Sequence, residues 1–163
     1  MKIRYNNEMR RSDREIKDIL QIKAFIQKES IMRIGFYDEG EVFIVPVNYG
    51  YVFENEKHVF YFHGAKAGRK YELAKKAPDV GFEIDGNYEL LEADTACDYS
   101  AKFQSVIGNG RLSLVENQEE KIKGLNILMK QSTGKVAWTY ENKMLDGVAV
   151  FRLEVEKLSC KAK

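Results

Sequence analysis

Histidine, cysteine and proline each occur only twice in 163 residues, and the scarcity of the first two removes whole classes of chemistry. His58 and His63 alone cannot build a histidine-rich metal site. Cys97 and Cys160 lie far apart with no CxxC, so the chain holds neither a disulfide framework nor a zinc site. An excess of one charge sign is also missing. The 26 basic and 25 acidic residues leave +1, which provides no global field for nucleic acid. No apolar run approaches the ~18 residues of a membrane span, and the first residues have no signal-like apolar stretch. The expectation is one domain over 1–163, cytoplasmic, with no nucleic-acid or membrane partner and no metal. GxxxxGK[ST], a GxGxxG opening a helix, GxSxG and HExxH are all absent.

What is present is β-rich. Ser12 or Asp13, with Glu15 as partner carboxylate, predicts a capping box for an amphipathic helix over about 13–28, its stripe being Ile16, Ile19, Leu20, Ile22 and Ile26. Strands are predicted over 31–37, 41–53, 58–63, 79–91, about 103–115 with glycines at a bulge or bend, and 148–158. Asp38-Glu39-Gly40 reads as a hairpin turn. Pro46, inside the second strand, implies an edge, a bulge or a break in pairing. A short helix ending near Ala77-Pro78 and a second over about 118–131 complete the chain. Helices this few cannot cover both faces of a parallel sheet. The fold class is therefore mainly β (α+β), a small antiparallel, Greek-key-like barrel with a few flanking helices.

One stretch carries chemistry. Val59-Phe60-Tyr61-Phe62 reads as a strand stopping at His63; Gly64 and Gly68 make a low-bulk turn; Lys66, Arg69 and Lys70 place cations where a helix starts. A strand end, a small-residue turn and a helix N-terminus form an anion site, because free N–H groups and the helix dipole both favour phosphate. A plain strand-to-helix connection with solvated lysines has the same spacing. For His63 a ligand role and a solvated end are both open, whereas His58 reads as solvated. Cys97 reads as a small buried residue, with nothing basic beside it to make a reactive thiol. Trp138 is either core or a ring that stacks on a planar ligand. The residues taken together point to a phosphorylated planar cofactor.

Met9-Arg10-Arg11, Val45-Pro46-Val47-Asn48-Tyr49-Gly50-Tyr51, Tyr61 to Lys70, Phe103 to Gly110 and Phe151 to Glu156 occur in this order. In them the chain resembles the pyridoxamine 5′-phosphate oxidase-like flavoproteins, and within these the branch of the 5-nitroimidazole resistance (Nim) proteins. The resemblance implies an FMN-binding split barrel, a homodimer with flavin at the subunit interface, and NAD(P)H-linked reduction of a small-molecule acceptor. By position it implies that Val45, Pro46, Val47, Asn48 and Tyr49 run along the isoalloxazine edge. His63, Gly64, Lys66, Arg69 and Lys70 would hold the phosphate, Ser105 and Val106 would approach from another strand, and Trp138 would come from the partner. No catalytic residue is assigned. A non-catalytic flavin- or haem-binding module on the same barrel is the alternative. The chain departs from the family at Phe103, where tyrosine is frequent, and at Leu158-Ser159-Cys160-Lys161, where relatives often close on Thr-Gly-Lys.

Overall fold

The computed structural model describes residues 11–163; Met9 and Arg10, where the resemblance begins, lie outside them. After a 3₁₀ turn at Ser12–Arg14 come β1 (Glu15–Ile16), α1 (Ile19–Lys28), β2 (Ile31–Asp38), β3 (Glu41–Asn48), β4 (Gly50–Glu54) and β5 (Lys57–Ala65). Then follow α2 (Arg69–Lys76), β6 (Asp79–Leu91), β7 (Ser100–Leu114), α3 (Gln118–Thr133), α4 (Asn142–Gly147) and β8 (Val148–Ala162). All pairings are antiparallel, in the order β3-β2-β6-β7-β8-β5-β4, with β1 added to β8. The β3 and β4 strands lie at opposite ends of that order, yet only Tyr49 separates them in the chain. A flat sheet cannot satisfy both facts, so the sheet curls until its edges meet. The fold is an antiparallel split barrel.

The barrel interior holds Met32, Ile34, Phe36, Phe60, Phe62, Phe82, Ile84, Val106, Phe151 and Leu153, all nearly inaccessible. Four consecutive residues of β5, Val59 to Phe62, are buried because both faces of the strand are covered. Phe60 and Phe62 face inward, while Val59 and Tyr61 meet Leu125, Val115 and Val150 beneath α3. Gln131 of α3 ties this layer together. Its Oε1 accepts the Tyr51 N–H at 2.9 Å, and its Nε2 donates to the carbonyls of Ile26 (3.0 Å) and Glu29 (2.9 Å). Gln131→Leu leaves the Tyr51 N–H and the Glu29 carbonyl without this partner in a half-buried layer, while the Ile26 carbonyl keeps the Tyr49 hydroxyl, at ~1–3 kcal/mol for each group that water cannot reach. The expected outcome is a fall of several degrees in Tm by calorimetry.

Several expectations change. The first helix begins at Ile19, not residue 13. Glu15 and Ile16 pair with Lys161 and Cys160 in β1, and Asp18 accepts the Leu20 N–H at 2.8 Å as the N-cap. Its inward face is therefore Ile22, Phe25 and Ile26, and Leu20 is exposed. The 41–53 segment is two strands, divided at Tyr49 and not at Pro46, which sits in the continuous edge strand β3 opposite Arg33. The strand at 58–63 continues to Ala65 because Gly64 and Ala65 pair with Ala149 and Val148. The last strand runs to Ala162, along β7 and β1. A bulge at Asn109/Gly110 keeps β7 and β8 in register around the barrel. His58 is half-buried, not solvated: its Nδ1 shares a 2.8 Å hydrogen bond with Tyr51 Oη, and burial pushes its pKa down. Cys97 is exposed, and the buried thiol is Cys160. Among the described residues no helix is long and apolar enough to cross a membrane.

Candidate functional site

The split in the barrel follows from the pairing. The β4 strand covers β5 only from Lys57 to Tyr61, so Phe62 to Ala65 have no strand on that side among the described residues. Among the described residues the β3 strand pairs with β2 alone. These two free edges diverge from Tyr49, and α2 begins where β5 ends.

Gly68 is the N-cap of α2. Its φ of +92° suits glycine, and no side chain caps the helix. The first N–H groups of α2 are thus open to a ligand. Lys70 folds back over the strand end. Its Nζ lies 5.5 and 5.2 Å from the ring centroids of Phe62 and Phe151, which stack on each other at 4.7 Å. A Cβ on Gly64 would stand 3.0 Å from that Nζ, so the missing side chain makes room for the lysine. Among the described residues Lys70 has no carboxylate partner, and burial lowers its pKa. An amine half-withdrawn from water, without a counter-ion, beside open helix N–H groups and a bare strand edge can hold an oxyanion.

Arg69 is differently placed. It lies 4.7 Å above the Phe43 ring and pairs with Glu41 (3.1 Å) and Asp38 (3.6 Å), while Lys76 reaches Asp38 at 2.9 Å. These contacts clamp α2 to the β2–β3 hairpin and hold Asp38 below the usual carboxylate range, chiefly through the Lys76 hydrogen bond. Lys66 and His63 are exposed on either side of Gly64.

The β3 residues alternate: Val45 packs against the core, Val47 is buried, and Pro46 and Asn48 face outward. Asn48 Nδ2 donates to the Ser30 carbonyl at 3.1 Å. Tyr49 is a core residue, edge-on to Phe60, and donates from its hydroxyl to the Ile26 carbonyl at 2.7 Å; burial raises its pKa. Within one chain Ser105 and Val106 are not brought to Lys70. Val106 points into the core, and the β8 partners of Ser105 and Val106, Lys161 and Cys160, lie far along the strand from Phe151 beneath Lys70, roughly 30 Å at ~3.3 Å per residue. Trp138 lies in the loop after α3, 37% exposed, with Nε1 donating to the Lys135 carbonyl at 3.3 Å. Sequence reading missed the aromatic floor beneath Lys70. Phe62 meets Phe151 only through the β5–β8 register, which local patterning does not reveal.

The comparisons with known proteins agree with this architecture. Structural similarity extends to a candidate 5-nitroimidazole antibiotic resistance protein from Bacteroides thetaiotaomicron, with 26% identity and a TM-score of 0.79, over 91% of this chain and 86% of that one. The flavocytochrome Anf3 from Azotobacter vinelandii shares the fold at 21% identity and TM-score 0.77, over 96% and 72% of the two chains. So does an FAD- and haem-binding protein from Mycobacterium smegmatis, at 13% identity and TM-score 0.77, over 92% and 73%. No curated protein sequence matches. The sequence profile of the family described as Pyridoxamine 5'-phosphate oxidase matches residues 18–162, nearly the whole chain. This chain belongs to the pyridoxamine 5′-phosphate oxidase family.

Proposed function

We propose that the chain is an FMN-dependent oxidoreductase, with the phosphate at Lys70, Gly64 and the α2 N-terminus and the flavin ring along the free edge of β3. The observation that carries this reading is the half-buried amine of Lys70 over Gly64, which has no carboxylate partner among the described residues. The cradle fits a terminal phosphate by charge and by open donors, and Pro46 lies on an edge strand that borders the split. Bound there, FMN supplies hydride transfer from NAD(P)H and electron delivery to a small acceptor. The chain contributes binding, orientation and a positive field.

A homodimer completes the reading. Tyr37, Val42 and Ile44 are 67, 69 and 62% exposed on the outward face of β2 and β3, an apolar surface on a sheet edge that a second copy would cover. Such a copy would also bring its Trp138 to the flavin.

The test is a visible spectrum of freshly purified protein with mass analysis of the released cofactor. Oxidised-flavin bands that bleach with NAD(P)H, and release of FMN, are expected. A colourless protein that takes up no added FMN overturns the reading, and a Soret band would instead favour a haem-binding module.

A further inference from the structure

Asp38 closes β2, and its carboxylate reaches both ends of α2. Lys76, the last residue of that helix, lies 2.9 Å from Oδ1, and Arg69, the first, lies 3.6 Å from Oδ2. The spacing from 69 to 76 puts both cations on one side of the helix, with the buried Leu73 between them. The Asp38 side chain is 16% exposed and its Oδ1 is sealed from water. Glu41 and Glu39, the outer partners of Arg69 and Lys76, are 75 and 86% exposed. Pairs that exposed are screened and contribute little, so Asp38 is the member of the cluster that holds the helix.

The two elements it joins hold different parts of one ligand in the flavin reading. Lys70 directly follows Arg69, and no side chain covers the N-terminus of α2, so the helix carries the phosphate grip. The ring edge belongs to the hairpin: β3 starts at Glu41, opposite Asp38 across the turn, and runs on to Asn48. Strand pairing does not tie these parts together. Among the described residues no ladder links β3 to β5, the strand from which α2 departs.

We propose that Asp38 is a positioning residue of the flavin site. By fixing α2 to the β2–β3 hairpin it sets the distance between the phosphate grip and the edge that takes the ring. The role rests on the flavin reading above. It also has a sign of its own, because the Asp38 charge by itself repels an anion.

The test is the affinity of Asp38→Asn for FMN and for riboflavin, by flavin-fluorescence quenching. Removing a carboxylate near an anion site tightens FMN if only the field matters. Loss of position does the reverse. FMN is expected to weaken about 10-fold, as when one charge-assisted hydrogen bond is misaligned, and riboflavin by less than about twofold. Only a ligand that spans both elements senses the distance between them. In a Lys70→Met background the same substitution should cost FMN less than about twofold, since the grip it positions is already gone. Glu41→Gln removes a carboxylate from the same hairpin without releasing Lys76, and should leave FMN binding equal or tighter. Should Asp38→Asn fail to fold, Asp38→Asn with Lys76→Met, which removes both charges of the innermost pair, decides by the same titrations. FMN bound by the variant as tightly as by the parent or more tightly, or an equal loss of FMN and riboflavin, overturns the role of Asp38. A parent that binds no FMN overturns the flavin reading itself, and this role with it.

Discussion

Lys70→Met is expected to weaken FMN binding by roughly 10- to 100-fold while riboflavin binding changes by about twofold or less. Only FMN carries the phosphate, and a hydrogen bond to a charged group contributes ~1.5–3 kcal/mol, with 1.4 kcal/mol to each decade. Flavin-fluorescence quenching titrations with both ligands measure the difference. Gly64→Ala should reproduce the effect without touching a charge: its methyl would stand 3.0 Å from Lys70 Nζ and 3.3 Å from Cε, and a flexible side chain yields before a strand does. Arg69→Met should cost FMN less, because Arg69 already faces Glu41 and Asp38. Equal loss of FMN and riboflavin in Lys70→Met would remove the phosphate from this cradle. pH gives a further signature. Burial lowers the Lys70 pKa, so FMN affinity should decline with rising pH earlier than a solvated lysine would allow.

The second large effect concerns stability. Gly50→Ala is expected to lower Tm by about 6–12 °C, from roughly 3 kcal/mol of overpacking at ~2–4 °C per kcal/mol for a chain of this size. A Cβ at Gly50 would meet Leu128 N at 2.3 Å, Leu128 Cα at 2.4 Å and the Ile127 carbonyl carbon at 2.5 Å. All three are backbone atoms of α3, so no rotamer change relieves the contact and the helix must leave β4. That movement also pulls Gln131 from the Tyr51 N–H and from the carbonyls of Ile26 and Glu29. Calorimetry checks it. A Tm within a degree or so of the parent would show that the helix accommodates a methyl there.

Lys70 and Gly50 also mark the two kinds of information in this protein. Patterning in the sequence identifies the strands, since alternation at Asp79–Leu91 is a local property of a half-buried surface. It locates α2 and the glycines around its start, because low bulk and cations at a helix N-terminus are local too. The shortage of histidine, cysteine and net charge sets, by composition alone, the expectation of no histidine-rich metal site, no disulfide framework and no nucleic-acid partner.

The tertiary structure decides the rest. Which cation stays unpaired depends on the β2–β3 hairpin: it brings Glu41 to Arg69 and leaves Lys70 to the Phe62–Phe151 stack. Whether Pro46 is a break or an edge depends on what lies beside β3, and Tyr49 is core because the barrel closes over it. His58 gains the Tyr51 hydroxyl only through the β4–β5 register. The stretch 61–70 could thus be read as an anion site from its own residues. Which of its amines is free for an anion is a long-range electrostatic fact, set by carboxylates and rings distant in the chain.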